Sequence, residues 1–233
     1  MRCAWISMAT ISMLCVGCAE GNLQSSATPG QGGAMMAAGG TVMTGGGGGT
    51  VGSPPQSPTP TLDPNLPPGT VVLTTSMGRI TLALDSGSAP NTVANFKSYV
   101  DEGFYDGDDG AGNTVFHRVI SGFMIQGGGV KLDGQLKLTR APIPHEGNTG
   151  ISNVRGTVAM ARTNDPNSAT SQFFINHVDN SPLDYVSPDG PGYVAFARVT
   201  EGLDVVDAIA AVEIGAMDVP TTPITIDDVR RGP

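Results

Sequence analysis

The run Phe116-His117-Arg118-Val119-Ile120-Ser121-Gly122-Phe123-Met124-Ile125-Gln126-Gly127-Gly128 constrains this chain more than any other stretch. A second run, Ser171-Gln172-Phe173-Phe174-Ile175-Asn176, joins it further along. Both set single polar side chains among large apolar ones. In strands whose side chains alternate, Phe116, Arg118 and Ile120 are expected on one face and His117 and Val119 on the other. After the Ser121-Gly122 turn, Met124 and Gln126 should fall together, with Phe123 and Ile125 opposite. The expected product is a sheet surface bearing one guanidinium, one amide and apolar patches, with no nucleophile or metal cluster. Such a surface can grip a neutral, partly apolar ligand and orient one of its carbonyls.

The flanking chain supports a mainly β domain. Val71 to Thr75 and Arg79 to Leu84 read as strands around a Met77-Gly78 turn. Ala89-Pro90 opens a helix whose apolar positions, Val93, Phe96, Val100 and Phe104, recur at three- and four-residue steps. Further strands are expected over 156–161, 172–178, 193–199 and 224–229, and a second helix over 202–210. Many short strands with two helices predict a mainly antiparallel barrel capped by the helices.

Four runs in the same order and spacing resemble the cyclophilins, the peptidyl-prolyl cis/trans isomerases. They are the two above, Gly156-Thr157-Val158-Ala159-Met160-Ala161-Arg162, and Tyr193-Val194-Ala195-Phe196-Ala197. The likeness runs from about Gly69 to Pro233, and Arg162 in place of the Asn usual in eukaryotic members is similar to bacterial ones. The resemblance implies a closed eight-stranded antiparallel β-barrel capped by two α-helices, with the active groove on its outer face. It also implies roles. Arg118 matches the catalytic arginine, against the alternative of a surface ion pair. Gln126 matches a donor to a substrate carbonyl, and Phe123, Met124, Phe174 and Leu183 match the proline pocket. Gln172 lines the groove, and Ala161 and Arg162 hold peptide through their main chains. Tyr193 stands at a groove position that is His in eukaryotic members. His117 matches a groove-side histidine, with a structural role equally open, and for Phe173 the core is expected. Pro182 stands where many members carry Trp, so weak cyclosporin binding is expected. Neither metal nor organic cofactor is implied.

Other function classes fall away. A net charge of −9 with only 12 Lys and Arg argues against nucleic acid. The glycine runs lack the Lys-Ser/Thr of a phosphate loop, and there is no Gly-x-Ser-x-Gly elbow. Asp106, Asp108 and Asp109 read as a solvated acidic turn rather than a weak calcium site. The cysteines are Cys3, Cys15 and Cys18, so nothing after Cys18 can use thiol chemistry or form a disulfide. An isomerase and a proline-peptide binding module or holdase with negligible turnover both remain, and the intact Arg118, Phe123, Gln126 and Phe174 favour the isomerase.

The N-terminus reads as an export signal over residues 1–18. Arg2 precedes a short apolar stretch from Ala4 to Val16, and Leu14-Cys15-Val16-Gly17-Cys18 resembles a bacterial lipobox, with Cys18 the residue acylated. An ordinary cleaved signal and an uncleaved anchor are the alternatives. Residues 19–68, rich in Gly, Ser, Thr and Pro, read as a disordered leash with a reach of roughly 40 Å, either a spacer or filler. The catalytic domain is expected over 69–233. These readings together give a monomer, lipid-anchored to a bacterial membrane and facing an extracytoplasmic space, with the periplasmic side of the outer membrane favoured. Its expected partners are proline peptides and unfolded exported proteins.

Overall fold

Eight strands make one antiparallel sheet in the computed structural model, which describes residues 62–233; the export signal and residues 19–61 of the leash lie outside them. The strands are β1 (Thr70–Thr75), β2 (Gly78–Leu84), β3 (Thr114–Ile120), β4 (Met124–Lys131), β5 (Thr157–Met160), β6 (Phe173–Asn176), β7 (Ala195–Glu201) and β8 (Ile226–Arg231). Their order is β3-β4-β6-β5-β7-β2-β1-β8. The two edge strands meet across a seam: Val115 bridges Thr225, and the Phe116 N–H donates to Ile224 O at 2.9 Å. The sheet is thus a nearly closed barrel, as expected from the sequence.

The interior holds one apolar core. Val71 and Leu73 from β1, Ile80 and Leu82 from β2, Val119, Ile125, Val158, Phe173, Ile175 and Phe196 all point into it. Helix α1 (Pro90–Asp101) contributes Val93, Phe96, Tyr99 and Val100, and α2 (Leu203–Ala210) contributes Val206, Ile209 and Ala210. The expected first helix stops short of Phe104, because Gly103 adopts φ +64 and turns the chain. Phe104 stays buried beyond the helix and meets Tyr99 edge-on at 4.7 Å.

Helix α1 has no side-chain cap of its own. Its free first-turn amides at Asn91 and Thr92 instead donate to Glu146, at 2.8 and 2.7 Å. That contact ties the loop after β4 to the helix. Lys137 secures the same long loop from the other side, donating to Phe104 O and Gly112 O and pairing with Asp109 at 2.9 Å.

Residues 62–68, expected in the leash, lie along β8. Leu62 bridges Arg231, the Asp63 N–H donates to Arg231 O at 2.8 Å, and Gly232 packs against Pro67 O so closely that a Cβ there would sit 2.1 Å away.

Candidate active site

An extra residue in β3 builds the site. Between Phe116 and Arg118 the partner strand β4 advances by only one position, from Gly127 to Gln126. His117 is therefore a bulge, and it corrects the alternation expected from the sequence. Phe116 does not share the Arg118 face; it is 1% exposed and joins Val119 inside the barrel. Beyond the bulge the pairs Arg118–Gln126 and Ile120–Met124 carry their side chains outward together.

Those outward residues border a second apolar cluster on the barrel's outer wall. Met124, Ala159, Ala161, Phe174 and Ala195 form its floor, and Ile120, Phe123, Ile151, Leu183 and Tyr193 pack around it. Phe123 was expected opposite Met124, but it lies in the turn before β4, where strand alternation does not apply, and it joins the same cup. Phe173 and Phe174 divide as expected, the first into the core and the second into the cup. Tyr193 meets Phe174 edge-on at 5.5 Å.

The polar groups sit beside this cup. Arg118 is 28% exposed, and its Nε donates to Asp218 at 3.3 Å. Among the described residues its two Nη groups make no hydrogen bond. Asp218 belongs to the turn Ala216–Asp218, where Met217 and Asp218 both adopt positive φ, 59° and 62°. Non-glycine residues pay about 1–3 kcal/mol for a sparsely populated backbone conformation. A short hairpin over-determines this one: Ile214 bridges Pro220, and the Gly215 N–H donates to Val219 O at 2.7 Å. No sequence pattern around Asp218 gave it away.

Gln126 is 6% exposed and donates through Nε2 to Gln172 Oε1 at 2.9 Å. An amide NH2 carries two donors, so one stays available for an acceptor in the groove. Of the two glycines that follow Gly127, the first makes room for the core rings and the second for the pair. Gly128 has φ +81, and a Cβ on it would lie 2.8 Å from the Phe173 ring; one on Gly129 would lie 2.4 Å from Gln172 Cγ. A side chain at residue 129 would push Gln172 off Gln126.

Arg162 closes the far side. Its Nε and Nη2 donate to Gly192 O at 2.9 and 2.7 Å, Nη1 donates to Thr163 O at 2.8 Å, and the guanidinium lies over the Tyr193 ring at 4.6 Å. Its side chain thus braces a groove wall, a use the sequence did not disclose. Leu183 ends the turn Ser181–Leu183, with Pro182 exposed. Burial works against a charge on Asp184, yet donors from the Asn153 backbone, the Ser152 hydroxyl and the Asn153 side chain outweigh it and hold the carboxyl below its usual range.

His117 lies in the bulge beside Gln172. Burial pushes its pKa down from 6.5 to about 4, and the adjacent Arg118 charge acts the same way, against hydrogen bonds at the Val115 backbone and the Gln172 side chain. Its Nδ1 is buried with no partner among the described residues. A neutral ring filling the bulge is the structural alternative left open by the sequence.

Residues 70–231 match the family described as cyclophilin type peptidyl-prolyl cis-trans isomerase/CLD. The chain is 54% identical over 167 residues to a peptidyl-prolyl cis-trans isomerase of Streptomyces antibioticus, covering 69% of this chain and 97% of the relative. It is 48% identical over 165 residues to peptidyl-prolyl cis-trans isomerase B of Escherichia coli, covering 68% and 97%. Among solved structures, it is similar to a Cryptosporidium parvum cyclophilin-type isomerase crystallised in the presence of the dipeptide Ala-Pro. That match has a TM-score of 0.58 and 25% identity, over 70% of this chain and 99% of the other.

The buried ring of His117 makes stability pH-dependent. Its folded-state pKa lies below the unfolded value, so the neutral ring stabilises the fold fully above pH 6.5, and that contribution is lost as pH falls toward about 4. Urea titrations should show wild type losing about 3 kcal/mol more than His117→Gln across that window. Parallel pH profiles for the two proteins would contradict the assignment.

Proposed function

The chain belongs to the cyclophilin-type peptidyl-prolyl cis-trans isomerases, and from that membership we propose that the cup beside Arg118 holds the prolyl ring while the amide before it turns. The chemistry asks for no covalent bond. Rotation about a peptide C–N bond faces a barrier of ~18–20 kcal/mol because resonance gives that bond double-bond character. For X-Pro bonds the cis and trans ground states are close in energy, yet they interchange over tens of seconds or more. A catalyst therefore needs only to bind the twisted amide better than either planar form.

The single observation that carries this reading is the placement of Arg118. Its guanidinium faces outward beside an apolar cup, held through Nε by Asp218. A guanidinium is permanently charged and presents donors in a fixed fork. With Nε engaged, an Nη–H is free to meet the prolyl nitrogen lone pair, which becomes an acceptor only as conjugation breaks. A donor aimed at charge that develops in the transition state favours that state alone. Phe123, Met124, Phe174 and Leu183 exclude water around the ring, and a soft thioether adapts to either isomer. Gln126 donates to a carbonyl of the bound peptide, with Gln172 fixing its orientation. Asp218 is a positioning residue in this scheme. Tyr193, Ala161 and Arg162 shape the groove that receives the flanking chain.

Beyond the activity, we infer that the natural substrates are unfolded exported proteins. The support is in the sequence: residues 1–18 end in the lipobox-like Leu14-Cys15-Val16-Gly17-Cys18, and the Gly- and Pro-rich stretch after it would let a lipid-anchored domain sample the space beside a membrane. Labelled palmitate fed to the native host should appear in the wild-type protein and vanish in Cys18→Ala; equal labelling would remove the anchor.

A coupled-protease assay on a short X-Pro peptide tests the catalytic assignment. Arg118→Ala should lower the isomerisation rate by about a hundredfold to a thousandfold, the range expected for loss of one transition-state donor, while its thermal unfolding stays like wild type. Near-wild-type turnover in the folded variant would eliminate the arginine's role. A wild-type protein that binds the peptide without turnover would identify a binding module instead.

A further inference from the structure

The cup is held by two kinds of bond. Met124, Phe174, Ala159 and Ala195 sit on β4, β6, β5 and β7, where ladder hydrogen bonds fix them. Three of its other walls lie outside the strands, held on the main chain by bonds such as the His177 N–H to Phe123 O and the Tyr193 N–H to Leu183 O, each at 2.9 Å. Phe123 lies in the turn before β4, Leu183 ends a short turn, and Tyr193 precedes β7. The backbone carbonyls of all three accept from side-chain amides of one buried group: Asn153, Asn176 and Asn180, which are 0%, 0% and 7% exposed.

The bonds form a closed circuit. Asn180 Nδ2 donates to Phe123 O at 2.9 Å and to Asn176 Oδ1 at 2.7 Å. Asn176 Nδ2 donates to Asn153 Oδ1 at 3.2 Å and to Thr157 Oγ1 at 3.0 Å. Asn153 Nδ2 reaches Leu183 O and Tyr193 O, each at 3.2 Å. Main-chain bonds close the ring, from the Asn180 N–H to Asn153 O at 2.7 Å and from the Leu183 N–H to Asn180 O at 2.8 Å. The Phe123 turn is gripped twice more by the residue after β6. The His177 N–H donates to Phe123 O at 2.9 Å, and the Gly122 N–H donates to His177 Nδ1 at 3.1 Å.

Three buried amides are a poor way to stabilise a fold. Each must find partners for its donors and its acceptor, and one left unpaired costs about 1–3 kcal/mol. A fully satisfied network is rigid and specifies one arrangement of the segments it joins. Here each amide spends at least one bond on another asparagine of the group or on the carbonyl of a cup wall.

We propose that Asn153, Asn176 and Asn180 are positioning residues for isomerisation: a buried amide relay that sets the spacing of Phe123, Leu183 and Tyr193 and so determines how tightly the cup grips a prolyl ring. The proposal rests on the cup being the prolyl subsite. None of the three touches substrate. They act on binding in both planar and twisted forms, so their loss weakens KM more than kcat, the opposite of losing Arg118.

The test is a double-variant cycle on the full chain, with kcat and KM for an X-Pro peptide measured separately. Asn180→Ala is expected to raise KM by about fivefold or more and leave kcat within about twofold, as loss of a uniform binding contribution does. In a Phe123→Ala background the same change should move KM by less than about twofold, because the ring that the bond positions is gone although the carbonyl remains. A merely structural role would lower thermal stability equally in both backgrounds and leave KM alone. Unchanged KM in folded Asn180→Ala, or an equal effect in both backgrounds, overturns the proposal. Should Asn180→Ala fail to fold, Asn180→Ser enters the same cycle under the same criteria. If Phe123→Ala alone leaves KM unchanged, the cup is not the prolyl subsite, and both that reading and this proposal fall together.

Discussion

One residue too many in β3 decides where the chemistry of this barrel sits. The His117 bulge lets Phe116 and Val119 both fill the interior while Arg118 and Ile120 face outward beside Gln126 and Met124. Without it, strict alternation would put Phe116 and Arg118 on one face, and either the guanidinium would enter the apolar core or a phenyl ring would leave it. Burying an unpaired charge is far more costly than exposing a ring. The bulge resolves that conflict, and the neutral, buried imidazole fills the space it creates. The glycines opposite accept the resulting close approach, since a Cβ on Gly127 would meet the Phe116 ring at 3.0 Å.

The outer wall that results separates its tasks cleanly. An apolar cup supplies shape and dryness, one fixed cation supplies the electrostatics, and an amide pair supplies direction. Asp218 holds the cation from a turn whose backbone is forced into two consecutive positive-φ residues. Strain of that kind persists where surrounding bonds over-determine it, and here the hairpin from Ile214 to Pro220 does so. The remaining Nη groups keep their hydrogen-bonding capacity for a ligand. No step calls for proton transfer, which agrees with a bulge histidine, His117, held neutral.

Much of this was legible in the sequence. Strand and helix positions followed from period-2 and three-to-four-residue spacings, and the core fate of Phe173 followed from its alternation with Phe174. Arg118, Gln126, Phe123, Met124, Phe174 and Leu183 stand together or beside one another on the outer wall, although their grouping came from resemblance to a family rather than from local pattern. What alternation misjudged were the residues at irregularities: Phe116 beside the bulge and Phe123 in the turn. A period-2 argument holds only while the ladder is regular, and a bulge leaves little trace in composition. Asp218, the bracing side chain of Arg162 and the asparagine relay were hidden for another reason. Each joins segments far apart in the chain, from Arg118 to Asp218 or from Phe123 to Asn180, and polar residues in such loops look like any solvated turn until the fold brings them together.

The account stands on the prolyl ring entering the cup with its amide nitrogen toward Arg118. Intermolecular nuclear Overhauser measurements with a saturating Ala-Pro peptide address this directly. The account predicts contacts from the pyrrolidine δ protons to the Met124 methyl and to the Phe123 and Phe174 rings, with a shift of the Arg118 guanidinium resonances on binding. Pyrrolidine contacts confined to other surfaces, with Met124 and Arg118 unmoved, would contradict it.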